Sequence, residues 1–206
     1  MELTQKQWKE HWLDWYEFKH KGNQWYRDNT INLYKTPDIS SDILRTVKQG
    51  IKELVDEVGL NFKVVVRDKD QKIKQYVDTS VFDGTLDAKE LEKALQWYPL
   101  DKGGNFVITN KSFGNYNGEA RFGNATLALN GITSERFIRN LTKHETAHLL
   151  GYNSHHNDVI VPGYDEKACV MLPKGMDRPN KICDKCLDAL KYFWNGVENY
   201  SKSKTF

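Results

Sequence analysis

Residues 144–156 read His144-Glu145-Thr146-Ala147-His148-Leu149-Leu150-Gly151-Tyr152-Asn153-Ser154-His155-His156. On a helix the four-residue spacing puts His144 and His148 on one face, where two imidazoles can hold a single metal ion. Glu145, one position on, lies beside such an ion rather than on it, which suits a general base acting on metal-activated water. Helical periodicity runs from Ser134 to Leu150, with Phe137, Leu141, His144 and His148 on one stripe. Ser134 is a candidate N-cap and Gly151 a candidate C′ residue, so the helix is expected to stop where a returning chain needs it to.

A catalytic zinc takes three protein ligands and keeps its fourth position for water. His155 and His156 both follow Gly151 closely enough to reach the ion, and Asp158 is a weaker candidate. A glutamate from a later helix, Glu166 or Glu198, is another geometry, but it leaves Gly151 and the adjacent histidines unexplained. His155 is the preferred third ligand. The reading this favours is a zinc-dependent peptidase.

The segment resembles the metzincin clan, whose extended motif is H-E-x-x-H-x-x-G-x-x-H followed by a methionine-containing turn. Within the clan it looks most like the archaemetzincins, over roughly residues 120–190. In that group a cysteine follows the third histidine, then come a Cys-x-Met turn and a Cys-x-x-Cys pair, and the four cysteines hold a second, structural zinc. Cys169-Val170-Met171 fits the Cys-x-Met element, and Cys183-Asp184-Lys185-Cys186 fits the pair. The chain departs from the pattern twice: Tyr152, Asn153 and Ser154 put one residue too many after Gly151, and histidine stands where the first structural cysteine belongs. The gap from Met171 to Cys183 is also shorter than the family's. The resemblance then implies that His155 binds the catalytic ion and that His156, Cys169, Cys183 and Cys186 form a Cys₃His structural site. The rival assignment exchanges His155 and His156. Met171 is implied beneath the catalytic site, in a tight turn.

By the same resemblance the fold is α+β and zincin-like (metzincin): a twisted mixed β-sheet with helices, the motif helix at a cleft, and a small C-terminal subdomain with a structural zinc. A single metalloprotease domain over residues 1–206 is expected, with an N-terminal part at 1–151 and a zinc-clamped part at 152–206. The tail looks too poor in apolar residues to order itself without the ion.

Along the chain, Trp8, Trp12 and Trp15 lie at helical spacing between about Thr4 and Lys19, either packed on the body or serving as a partner-binding or lid helix. A short strand is expected at Ile31–Lys35 and a helix over Pro37–Val58. The unbroken apolar run Val64-Val65-Val66 marks a central strand within Phe62–Arg67. Residues Ile73–Phe82 read as extended, and Asp87–Trp97 as a helix stopped before Pro99. Strands are expected at Asn105–Thr109 and, broken by Gly123, within Glu119–Asn130. A last helix runs from about Cys183 to Tyr200.

A formal net charge of +2 gives no argument for nucleic acid or an anionic membrane. No apolar run approaches the roughly 18 residues of a membrane span. Met1–Glu10 lacks the apolar core of a secretory signal. Three cysteines, two of them in a Cys-x-x-Cys pair, make no disulfide framework and favour a reducing, cytoplasmic setting. The resemblance implies zinc as cofactor, two ions, and a peptide or protein substrate lying along an edge strand within Glu119–Asn130. Two other functions compete: a non-catalytic Cys/His zinc module for binding protein or nucleic acid, and a metallohydrolase acting on something other than peptides.

Overall fold

The computed structural model describes residues 25–97, 100–121, 123–152, 169–171 and 180–203. The Trp8, Trp12 and Trp15 segment lies outside them. After a 3₁₀ turn at Trp25–Asp28 comes β1 (Thr30–Lys35), whose Ile31 and Leu33 face one side of the sheet and Asn32 and Tyr34 the other. Helix α1 (Ser41–Val58) begins later than the Pro37 expected from periodicity. Residues 36–39 form a turn closed by Ile39 N–H donating to Thr36 O, and Ser40 Oγ then caps the helix by accepting from Ile43 N. Such a cap contributes about 1 kcal/mol.

Two elements differ from the sequence reading. Strand β2 (Lys63–Val66) pairs parallel to β1 but stands at the sheet's edge, with Val66 exposed, so the valine run is not central. β-Branched residues suit any pleated, half-buried surface, and the run alone does not distinguish an edge from a centre. The stretch read as extended over Ile73–Phe82 is mostly helix α2 (Asp70–Thr79). Ile73 and Val77, four apart, form its buried face, and Lys74 pairs with Asp78 one turn on. Only Val81–Phe82 (β3) is extended, joined to Thr85–Leu86 (β4) by Asp83 and Gly84, both at positive φ.

Helix α3 (Ala88–Trp97) follows, its first N–H groups at Lys89 and Glu90 held by Asp87 Oδ1. Then come β5 (Gly104–Thr109), β6 (Gly118–Arg121), β7 (Asn124–Ala128), α4 (Glu135–Leu149) and α5 (Asp184–Ser203). The five-stranded sheet has the order β2-β1-β5-β7-β6, parallel except for β6, which runs antiparallel to β7 at the far edge. A mostly parallel sheet needs cover on both faces. Leu33, Phe106 and Leu127 pack with α1, α4 and α5, while Tyr34, Val107 and Ala128 pack with α2 and α3.

The tail is richer in apolar contacts than its composition suggested. Val170, Met171, Ile182, Leu190, Phe193 and Trp194 belong to the main core. Trp194 lies edge-on to Trp25, Tyr26 and Phe62, with ring centroids 5.2–6.2 Å apart, and its indole N–H donates to Leu150 O. The hydrophobic effect therefore holds this segment alongside whatever a metal contributes. No helix among the described residues is long and apolar enough to cross a membrane.

Candidate metal centre

Helix α4 starts where Ser134 Oγ accepts from Phe137 N and runs through the interior. From Ile138 almost every side chain is buried, polar ones included, whereas Phe137 faces solvent and leaves the stripe assigned to it. Buried polar groups must be satisfied. Thr142 and Thr146 achieve this by donating to the carbonyls four residues back, each at 2.7 Å. Lys143 reaches Glu57 at 2.8 Å, Glu53 at 3.1 Å and the Asn180 carbonyl at 3.1 Å, tying the motif helix to α1 and to the start of the tail. The helix ends at Gly151, whose φ of +105° disfavours any other residue and whose Cβ would meet Phe193 at 2.8 Å.

His144 and His148 are both buried, with Nε2 atoms 3.2 Å apart. Each ring's other nitrogen faces a carbonyl: His144 Nδ1–H donates to Val170 O at 2.9 Å, and His148 Nδ1–H donates to Tyr152 O. A carbonyl only accepts, so each Nδ1 carries its ring's proton and each Nε2 of a neutral ring presents a lone pair. At this separation two such lone pairs can share one cation. Tetrahedral zinc with Zn–N near 2.0–2.1 Å spaces two nitrogens about 3.3–3.4 Å apart, close to the distance found. The donor set fits a metal ion.

Glu145 is buried as well, and its carboxylate lies against edge strand β6. A Cβ on Gly118 would come within 2.4 Å of Glu145 Oε1 and 2.7 Å of its Cδ. A side chain at Gly118 would therefore push the Glu145 carboxylate aside, so the glycine serves close approach rather than special backbone angles. Sequence reading missed it, because nothing near Gly118 in the chain marks its neighbour as Glu145.

Cys169, Cys183 and Cys186 form a second buried group, their sulfurs all within 4.8 Å of one another. Cys169 and Cys186 sulfurs are 3.8 Å apart, the spacing that Zn–S bonds near 2.3 Å impose on a tetrahedron, about 3.8 Å. Cys169 Sγ also accepts N–H groups from Met171 at 3.4 Å and Cys183 at 3.3 Å. Its hydrogen bond with Cys183, together with burial, pushes the Cys169 thiol up to about 11. Cys169 and Cys183 likewise raise the Cys186 thiol. Three crowded thiols in a dry site resist ionising by mutual repulsion, and a bound cation reverses that balance. This donor set also fits zinc.

Met171 is fully buried in the turn whose Val170 carbonyl receives His144. His155, His156, Asp158 and Glu166 lie outside the described residues, and Glu198 falls in the last turns of α5. The histidine pair is thus brought together, the three cysteines are brought together, and the proposed remaining ligands stand outside the description.

Neither protein-family models nor curated proteins give a match to this chain. Among solved structures, the archaemetzincin of Methanopyrus kandleri aligns over 81% of this chain and 95% of its own, with a TM-score of 0.59 and 15% identity. The fold is similar to that of archaemetzincin. A chain from a chaperone–substrate complex also aligns, with a TM-score of 0.41 and 14% identity over 83% of this chain and 38% of that one. At that score the second likeness carries no argument. At 15% identity the archaemetzincin likeness bears on the fold, with its mixed sheet and packed helices.

Proposed function

We propose that the chain is a zinc-dependent peptidase in which His144, His148 and His155 hold the catalytic ion and Glu145 is the general base. The observation that carries the reading is the pair of Nε2 atoms 3.2 Å apart, each on a ring whose proton is held by a carbonyl. Likeness to the archaemetzincin fold supports it. A second, structural zinc would be held by Cys169, Cys183 and Cys186 with His156, and residues 152–206 would form the lower wall of the cleft beneath the sheet. A reducing, cytoplasmic setting would keep the three free cysteines available to the ion.

When bound, zinc supplies Lewis acidity, lowering the pKa of water and stabilising negative charge on the scissile carbonyl oxygen. The chain's own residues do the rest. Glu145 accepts a proton from the attacking water on a carboxylate oxygen and later returns it to the leaving amine nitrogen. Burial and contact with Gly118 restrict that carboxylate to a narrow range of positions. The free side of β6, the sheet's antiparallel edge, would pair with an extended peptide through main-chain hydrogen bonds.

Hydrolysis of casein or a fluorogenic peptide should be lost on chelation and restored by added zinc. A chain that binds zinc but cleaves no peptide would instead be a non-catalytic Cys/His module or a hydrolase of another substrate. Gly118→Ala provides a second check. The new methyl group displaces the Glu145 carboxylate, and displacement by about 1 Å costs on the order of 10²-fold in kcat. Metal content, measured by atomic absorption, should be unchanged in that variant.

A further inference from the structure

The two metal-ligating clusters are joined by the same two peptide segments. The Val170 carbonyl, which fixes His144, belongs to the residue between Cys169 and Met171. That turn is folded around sulfur: Met171 N–H and Cys183 N–H both donate to Cys169 Sγ, and Val170 N–H donates to Lys181 O at 2.7 Å. The Tyr152 carbonyl, which fixes His148, has a similar anchor. Tyr152 N–H donates to Ala147 O at 2.9 Å, and its hydroxyl oxygen lies 3.1 Å from Cys186 Sγ. Tyr152 is itself buried, so its phenol is aimed at sulfur in a dry environment. Each imidazole is thus oriented by a carbonyl whose other tether is a thiol of the cysteine group.

We propose that the cysteine centre and the histidine pair form one coupled metal-binding unit, in which Tyr152 is a positioning residue that ties the placement of Cys186 to that of His148. This rests on the reading of His144 and His148 as metal ligands. Both carbonyls depend on where the sulfurs sit: Cys169 Sγ holds the Met171 and Cys183 N–H groups, and Cys186 Sγ lies 3.1 Å from the Tyr152 hydroxyl. An ion that fixes the three sulfurs would therefore fix both anchors as well. Both carbonyls are then held where the two Nδ1–H groups need them. Outer partners of this kind typically govern metal affinity by 10–100-fold. Linkage makes the effect reciprocal: an ion on the histidines tightens the thiol site by the same factor.

The test is a cobalt(II) titration of the full chain. Thiolate-to-metal charge transfer in the near ultraviolet reports the cysteine centre, and visible bands lacking it report the histidine pair. Tyr152→Phe keeps every ligand, the ring and the backbone, and removes only the hydroxyl. It should weaken the histidine-pair ion at least several-fold while the charge-transfer band still develops. Cys186→Ser should weaken it about 10–100-fold. Far-ultraviolet circular dichroism controls for folding, and if Cys186→Ser does not fold, Tyr152→Phe carries the test alone. Val77→Ala, a core change on the opposite face of the sheet, should leave the histidine affinity unmoved. Two ions whose affinities ignore Tyr152→Phe, and Cys186→Ser where it folds, would overturn the coupling alone. Wild-type protein that takes up only the thiolate-bound ion would overturn the peptidase reading and the coupling with it.

Discussion

Glu145→Gln is expected to lower peptide hydrolysis by about 10²–10⁴-fold while leaving the ion on the histidine pair in place. The substitution is close to isosteric, so the contact with Gly118 and the burial of the side chain persist. What changes is the ability to hold a proton: an amide at this position cannot take one from water near neutral pH. His144 and His148 keep their carbonyl partners on Val170 and Tyr152, so the affinity for metal should move little. The measurement is kcat/KM against a fluorogenic peptide, paired with zinc content for the same preparation. Full activity with zinc retained would remove Glu145 from its role and favour a non-catalytic site. Lost activity together with lost zinc would mark Glu145 as a structural group of the centre.

The motif helix was legible because one short segment carried cap, periodicity and stop together. Ser134 caps it and Gly151 ends it, at the positions their chemistry suggested. The strands at β1, β5 and β7 were legible for a similar reason, since each is a short alternating or apolar segment flanked by turn residues. What escaped were features that depend on neighbours distant in sequence. Whether Val64–Val66 is central depends on which strands flank it. Ile73 and Val77 declare a helix only once the apolar face formed with Leu91 and Leu95 is known. The site followed the same division. His144, His148 and the cysteine pair announce themselves by spacing. Gly118 matters only because β6 passes beside Glu145, and Tyr152 only because its phenol meets Cys186. Backbone carbonyls such as that of Val170 leave no mark in a sequence at all.

Lys143→Met should destabilise the fold by about 1–3 kcal/mol, measured by chemical denaturation with the slope unchanged. Methionine preserves most of the apolar stem and removes only the charge. The side chain is 3% exposed, and its ammonium faces two carboxylates and a carbonyl that stay behind when it is gone. Arg139 still serves Glu53 from the other side, so the cost concentrates on Glu57 and on the Asn180 carbonyl. A Glu57→Gln, Lys143→Met double variant should recover part of the loss, because neighbouring charges couple while distant ones add. The acid limb provides a separate reading. Partial burial raises the Glu53 carboxyl, but hydrogen bonds from Arg139 and Lys143 outweigh it and hold the group below its ordinary 4.5. A lowered native value stabilises the fold above about pH 4.5 and loses that contribution as the pH falls through it. Without Lys143 the native value rises toward the unfolded one, so the variant's stability should fall less steeply on acidification than the wild type's. Lys143 precedes His144 and donates to the Asn180 carbonyl in the segment that leads into Cys183, so one ammonium ties the motif helix both to α1 and to the cysteine segment.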